Sequence, residues 1–304
     1  MYYEDVETFL QIYNSGGISR AAARMYLAQS TVSQRLRRLE SERNSQLFIR
    51  RAGVRRISLT PQGKAFLPLA QKLAEAWENA AHGADDAPLI HLAIGSITSV
   101  YDTMLFRLLL PLLQTDPRIQ ITTVVRSSSA LCEMVESGEL DYAFVGYGIH
   151  SSFTRCTPVY REGYYLVVSP GLLLTDDPVD VRELTRYREL FYPWGIEFRR
   201  WHQHMIPKQH RPYMDCDTLS VYEQMAAQTE FWSVCPASAV YHLKEKQIPF
   251  DRFELQDPPE ARTVFSVQRQ PTEESTDKSR LFKTALTTFC NNLPEGMEKI
   301  GSDG

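Results

Sequence analysis

Apolar residues recur at helical spacing through the first eighty positions, then in short runs broken by polar and turn-forming segments. Val6, Phe9, Leu10 and Tyr13 stand at i, i+3, i+4 and i+7, which predicts an amphipathic first helix halted by a left-handed stop at Gly16-Gly17. Ser19 is expected to cap a second helix, Arg20 to about Leu27, whose Ala21, Ala22 and Ala23 let a neighbour approach closely. With Ser30 as cap, a third helix gathers Val32, Leu36 and Leu39 into one narrow stripe. Opposite it lie Ser30, Thr31, Ser33, Gln34, Arg37 and Arg38, with no carboxylate before Glu40. Leu47-Phe48-Ile49-Arg50 and Arg56-Ile57-Ser58-Leu59 read as two short strands around a turn at Gly53.

Thr60 and Pro61 open a fourth helix, continued by Phe66, Leu69, Leu73, Ala76, Trp77 and Ala80 to about His82, with a kink or break expected at Pro68. Its apolar face has little local core to meet, so burial against a second copy is the expected use; packing on the body of its own chain is the alternative. Gly83 to Pro88 reads as a hinge.

From Leu89 onward, strands (Leu89 to Ile94, Ile119 to Val125, Tyr142 to Val145) alternate with helices (Tyr101 to Gln114, Ala130 to Ser137). A second set follows: strands Tyr164 to Val168, Leu190 to Tyr192 and Phe231 to Cys235, with helices Phe198 to Met205 and Leu219 to Gln228. Thr263 to Gln268 and the helix Lys278 to Asn291 return to the first set. That alternation predicts α/β architecture with a parallel sheet covered by helices. Crossings near Gly163 and Ala261 divide it into two subdomains around a cleft.

Charge sharpens the division. The net charge of −4 over 304 residues conceals +6 up to Lys64, where ten arginines and one lysine face five acids, and −10 beyond it. A basic head on an acidic body points to a polyanion as partner of the head alone. Taken alone, Arg37 and Arg38 fit a solvated surface helix equally well. Arg50, Arg51, Arg55 and Arg56 crowd one small turn, and there a phosphate backbone or narrow minor groove explains the arrangement better than solvation does. In a helix-turn-helix the second helix enters the major groove by its N-terminal residues, here Gln29, Ser30, Thr31, Ser33 and Gln34.

Ile18-Ser-Arg-Ala-Ala, Gln29-Ser-Thr-Val-Ser-Gln-Arg-Leu-Arg-Arg-Leu-Glu, Leu47-Phe-Ile-Arg and Leu59-Thr-Pro-Gln-Gly together resemble the winged helix-turn-helix of the LysR-type transcriptional regulators over about 65 residues. The resemblance implies a DNA-binding domain at 1–60, a linker helix and hinge at 61–88, and a periplasmic-binding-protein-like effector domain at 89–304. Within the last, subdomain I covers about 89–163 and 262–292, subdomain II about 164–261, and a tail 293–304. It implies operator contacts from Gln29, Ser30, Thr31, Ser33 and Gln34, a minor-groove contact from Arg55, and a homodimer or homotetramer joined through the linker helix. Arg37, Arg38 and Arg50 are expected to add phosphate attraction. Ser30 or Thr31 stands where the family often has Pro, Gln34 where Arg is frequent, and Asn44 where Gly is common, so operator preference does not carry over. In the body, Asp116-Pro117, Gly138-Glu-Leu-Asp141 and Val234-Cys-Pro236 are the clearest anchors.

Ligands of open α/β sheets bind beyond the carboxyl ends of strands. Two such junctions are rich in hydroxyls, Gly95-Ser-Ile-Thr98-Ser99 and Ser127-Ser128-Ser129. Free N–H groups at helix starts favour an anion, so a small carboxylate effector is one expectation; simple helix capping is the other. By the resemblance, Ser99 and Ser128 match effector-contacting positions, Thr98 adjoins them, and Tyr147, Trp194 and Trp232 are candidates for the cleft wall. Thr229-Glu-Phe-Trp232 replaces a turn that is often glycine-rich, which would suit a flat aromatic acid; the aromatic residues fit a strand core as well.

Enzyme chemistry finds no support: there is no H-E-x-x-H, Gly-x-Ser-x-Gly, P-loop or G-x-G-x-x-G. His202 and His204 are too close in sequence to share a helix face, and His210 is expected to be solvated, so neither a metal nor a cofactor is expected. Five scattered cysteines without C-x-x-C spacing read as buried thiols, with a redox pair as the alternative. Lacking a signal-peptide pattern or a spanning apolar run, the chain is expected in the cytoplasm. The competing function is a cytoplasmic ligand sensor whose winged helix serves protein contacts. Effector identity, operator sequence and the sign of regulation are not legible.

Overall fold

A computed structural model describes residues 1–49, 58–81, 89–149, 151, 153–172, 174, 177–270 and 277–300. The chain divides into two compact units, Met1–Ile90 with Glu136–Glu139, and His91–Val135 with Leu140–Gly304.

In the first unit, α1 (Tyr3–Ser15), α2 (Ile18–Met25) and α3 (Gln29–Glu42) enclose a core of Val6, Phe9, Ile12, Ala21, Ala22, Val32, Leu36 and Leu39. Gly16 ends α1 at φ +66, as its missing Cβ allows, and Asn44 turns the chain after α3 at φ +49. The expected serine caps do not form. α2 starts at Ile18 after an extended Gly17, and α3 starts at Gln29 after an extended Ala28. The Ala28 carbonyl accepts from Thr31 and Val32, and Ser19 and Ser30 face solvent inside the first turns.

Two short strands, β1 (Phe48–Ile49) and β2 (Ser58–Leu59), pair antiparallel with Phe48 opposite Leu59. Arg50 and Arg55, with the rest of the turn, lie outside the described residues, as does the hinge at 83–88. α4 (Pro61–Ala81) begins where the pattern placed it, with Thr60 Oγ1 accepting from Gly63 N at 2.9 Å. A Cβ on Gly63 would stand 2.1 Å from the Leu47 carbonyl oxygen, so this junction needs glycine. Pro68 does not break α4. The bond it removes would end on Lys64, which is exposed, so solvent can take up the freed carbonyl while Phe66, Leu67 and Ala70 stay in the core.

The second unit holds two sheets. The first runs β13-β6-β12-β5-β3-β4, built from β3 (Ile90–Ser96), β4 (Ile119–Val125), β5 (Tyr142–Val145), β6 (Thr154–Glu162), β12 (Arg262–Arg269) and β13 (Met297–Lys299). Helices α5 (Thr98–Val100), a π-helical turn Tyr101–Leu105, α6 (Phe106–Thr115), α7 (Ser128–Ser137) and α11 (Asp277–Asn291) accompany it. Phe282 of α11 stacks on Tyr142 at 3.5 Å between ring centres.

The second sheet places β7 (Tyr164–Val168) between β10 (Trp232–Pro236) and β11 (Asp251–Phe253), with β8 (Leu190–Phe191) and β9 (Met214–Asp215) joined through a bridge from Glu189 to Trp232. It carries α8 (Ile196–Met205), α9 (Leu219–Ala226) and α10 (Ala237–Glu245) around one aromatic-rich core.

The expected parallel sheet is in fact mixed. β3 and β5 are parallel, but β12 runs antiparallel to both β5 and β6, and β7 pairs antiparallel with β10 and β11. The reason is topological. β6 carries the chain out of the first subdomain at Gly163 and β12 brings it back after Ala261, so two crossing strands lying side by side must point opposite ways. Glu162 and Arg262 are register partners at that crossing.

Candidate nucleic-acid interface and ligand cleft

α3 is anchored by Val32, Leu36 and Leu39, all fully buried, which leaves Gln29, Ser30, Gln34 and Arg37 exposed and Thr31 and Ser33 half-buried. Arg37 makes one bond within its helix, Nε to the Ser33 carbonyl at 3.2 Å, leaving its guanidinium toward solvent. Arg38 behaves differently. Its Nε donates to Asp5 Oδ2 at 2.6 Å and its Nη2 to Oδ1, and Asp5 is wholly buried. The guanidinium also lies 4.5 Å from the Tyr2 ring centre. Hydrogen bonding to Asp5 raises the Arg38 pKa further. Arg38, expected as a phosphate contact, also clamps α3 to α1, because a buried carboxylate requires a charged partner, and its side chain stays 44% exposed.

Glu40 plays a similar part toward the hairpin. Its buried carboxylate accepts from Leu47 N at 2.8 Å and from Phe48 N at 3.4 Å, holding β1 to α3. α3 and the base of the hairpin are therefore tied directly to each other. On α4, Leu69, Leu73 and Trp77 remain exposed at i, i+4 and i+8.

The junction of the two subdomains in the second unit is centred on a residue that the sequence pattern did not single out. Arg262 opens β12 and donates Nε to Glu162 Oε1 at 2.7 Å. Its Nη1 reaches Ser99 Oγ at 3.0 Å and the Trp194 carbonyl at 3.1 Å, and its Nη2 reaches Ser238 Oγ at 3.2 Å. Glu162 is fully buried and takes a further bond from Ser238 N at 2.7 Å, at the start of α10. Burial opposes the charge on Arg262, but Glu162 outweighs it and holds the guanidinium protonated. Ser99 belongs to one subdomain, Trp194 and Ser238 to the other. One guanidinium thus ties both to the crossing strands. An acid and a base flanking the crossings at Gly163 and Ala261 were the available signal.

The expected cleft residues divide. Ser99 is buried in this network, and Thr98 beside it starts α5, half-buried. Trp194 joins through its carbonyl, while its indole N–H is spent on the Val234 carbonyl at 2.9 Å. Ser128 is buried, its hydroxyl oxygen accepting from Gly146 N at 3.3 Å, and the nearby Tyr147 is exposed. Trp232 is not a cleft wall: it is fully buried in the second core, with its N–H on the Tyr187 carbonyl at 3.3 Å. Farther along the interface, Asp102 has its carboxyl raised, by burial first, with nearby Glu223 adding to it and His242 working against it. Arg107 donates to Glu245 at 2.6 Å and to Tyr241 Oη at 2.5 Å, a second tie between α6 and α10.

His210 is not solvated as expected. His202 and His210 place their Nε2 atoms 2.6 and 2.9 Å from the two oxygens of buried Glu189, a carboxylate that draws both rings inward. Cys156, Cys216, Cys235 and Cys290 form no disulfide, and burial pushes the thiols of Cys156, Cys216 and Cys290 up and that of Cys235 to about 11, which disfavours thiolate chemistry. Among the described residues no group of three or more His, Cys, Asp or Glu could hold a metal ion, and no helix is long and apolar enough to cross a membrane.

Comparison with known families decides what this architecture is. The family described as bacterial regulatory helix-turn-helix protein, lysR family, matches residues 3–64, and the LysR substrate binding domain matches residues 88–289. The chain belongs to the LysR family. The HTH-type transcriptional regulator HdfR of Yersinia pestis (strain Pestoides F) is 23% identical over 305 residues, covering 97% of this chain and 99% of that one. Among solved structures, a full-length OxyR variant from Pseudomonas aeruginosa is similar at a TM-score of 0.64 and 20% identity, over 95% of this chain and 94% of that one. Full-length CbnR complexed with its target DNA is similar at 0.56 and 15%, over 95% and 100%. This LysR-family protein is a DNA-binding transcriptional regulator with an effector-binding domain, and not an enzyme.

Proposed function

We propose that this regulator reads its operator through the exposed N-terminal half of α3 and reports a small molecule held in the cleft around Ser99 and Ser128. The observation that carries the reading is the α3 surface: Gln29, Ser30, Gln34 and Arg37 project from a fully packed stripe, without a carboxylate before Glu40. Gln29 and Gln34 suit adenine edges, Ser30, Thr31 and Ser33 suit bases or phosphates, and Arg37 supplies phosphate attraction. Arg55 keeps the minor-groove role that the resemblance gives it, and Arg50 the phosphate attraction expected of it. Residues 1–60 form the DNA-binding domain, 61–88 the linker and 89–304 the effector domain. The exposed Leu69, Leu73 and Trp77 support pairing of two copies through α4, a dimer that can double into a tetramer. Such a protein works in the cytoplasm, where the chromosome is.

For the effector, the hydroxyls of Ser99 and Ser128 already accept a hydrogen bond each, so their O–H groups are left to donate to an oxygen-bearing ligand. A small carboxylate fits those donors. Its charge gets less help than a free arginine would give, because Arg262 is neutralised by Glu162.

The test is fluorescence anisotropy with the duplex upstream of the protein's own coding region, across a salt series. The logarithm of affinity is expected to fall with log salt at about −0.9 per phosphate contacted. A flat salt response would leave the winged helix to protein contacts. A thermal-shift screen of small carboxylates and aromatic acids, repeated on Ser128→Ala, tests the cleft. A hit at 100 times its dissociation constant adds about 2.7 kcal/mol. An undiminished shift in the variant would move the ligand elsewhere.

A further inference from the structure

The turn between α2 and α3 carries a side chain that the protein itself leaves in solvent. Tyr26 caps α2 in the left-handed conformation, φ +55 and ψ 36, with its N–H on the Ala22 and Ala23 carbonyls. Glycine or asparagine takes that conformation with little strain, whereas a bulky side chain takes it at a cost. The other positive-φ residues besides glycine, among those described, are Asn44 and Gln247, so Tyr26 is the one aromatic among them. Burial does not offset the strain, because Tyr26 is 96% exposed. The helix end uses the left-handed turn but not the ring, and an aromatic side chain kept on strained backbone directs attention to what it meets outside the chain.

We propose that Tyr26 is a contact to the DNA backbone, its phenol donating to a phosphate oxygen at the edge of the groove that α3 enters. The inference rests on the operator-reading role given to α3. Tyr26 precedes Gln29 by three residues, which span at most roughly 10 Å. The major groove is about 12 Å wide, so when Gln29 and Ser30 stand over its floor, position 26 stands over its rim. Phosphate contacts from hydroxyl donors fix register without reading sequence. Arg24, two positions earlier, and Arg37 on α3 are both exposed and add positive charge to the same small domain. A phenol is neutral, so this contact adds affinity without displacing a counterion, and that distinguishes it from any arginine contact.

The experiment uses the full-length protein and the upstream duplex in the same anisotropy titration, at two salt concentrations, with thermal melting in parallel. Tyr26→Phe is expected to weaken binding about tenfold with an unchanged salt slope, since a hydrogen bond to a charged group has been lost but no charge. Tyr26→Asn is expected to bind as weakly and to melt higher, because asparagine relieves the turn. Arg37→Ala serves as comparison and should lower both affinity and slope. Wild-type affinity in Tyr26→Phe overturns the proposal, and a lower melting point in Tyr26→Asn shows the ring held by its own protein. Normal DNA affinity with lost transcriptional control would assign the tyrosine to a protein partner and overturn it too. If Arg37→Ala binds less well while both Tyr26 variants bind normally, the operator reading stands and only Tyr26 is wrong. A wild type that ignores DNA sinks both.

Discussion

Replacing Arg262 by methionine isolates the tie at the crossing strands. The substitution keeps a long apolar side chain, so little packing is lost. What goes is the guanidinium that bridges Glu162, Ser99, Trp194 and Ser238. Glu162, fully buried, is left with the Ser238 N–H as its remaining partner in this network, and the Trp194 carbonyl loses its Arg262 bond. Breaking a buried ion pair from one side costs about 3–5 kcal/mol, because the stranded charge cannot regain its hydration. For a unit of this size that is a fall of roughly 6–20 °C in melting temperature. Scanning calorimetry on the full-length variant reads it directly. Arg262→Lys, which keeps the charge but not the four-way fork, should fall in between. Glu162→Gln combined with Arg262→Met should be more stable than the two single losses added together, since neither charge is then stranded. A loss below about 1 kcal/mol, the range of an exposed pair, would refute the claim that this pair is desolvated.

Gly63→Ala should destabilise the first unit by at least ~1–3 kcal/mol, since the new Cβ meets the Leu47 carbonyl at 2.1 Å and backbone on both sides must shift; urea melts that match the parent would disprove the close approach. Tyr160→Phe should stabilise the second unit by about 1 kcal/mol, because the buried Tyr160 hydroxyl has no hydrogen-bond partner among the described residues; a loss on denaturant titration would show that the hydroxyl is in use. Asp102 has a raised pKa in the fold, so its ionisation penalises folding as pH climbs through and above the ordinary carboxylate range. Asp102→Asn should therefore raise stability at pH 7 and lose that advantage below about pH 4; a constant advantage at both pH values would mean that charge is not the cause.

Much of the first unit was legible because one period set both its core and its surface. Val32, Leu36 and Leu39 had to face inward, and that alone left Gln29, Gln34 and Arg37 outward. The Arg38–Asp5 pair was not legible because sequence shows a charge but not its partner: Asp5 lies thirty-three positions away and looks like one more solvated acid. The strands Ile119–Val125, Tyr142–Val145 and Tyr164–Val168 were found at their true bounds as apolar runs. β6 was missed because Thr154-Arg-Cys-Thr-Pro-Val-Tyr-Arg-Glu162 carries polar residues throughout, as a strand near a hinge can. Its direction, and the pairing of Glu162 with Arg262 a hundred positions apart, depend on topology that local pattern does not encode. Trp232 was misplaced for the opposite reason: an aromatic in a strand looks alike whether it lines a cleft or fills a core. Tyr26 was passed over because its backbone conformation leaves no mark in the sequence.

Glu40 grips the backbone of Leu47 and Phe48 from the helix that carries Gln29 and Gln34. On the proposed reading, in which α3 inspects bases and the wing reaches their flank, that grip makes the separation between the two contacts a built-in ruler. Evolution of this regulator toward a new promoter can exchange letters at the helix tip freely, but a one-base-pair insertion between the two footprints leaves one of them hanging. Recoding the operator and respacing it are, for this protein, problems of very different difficulty.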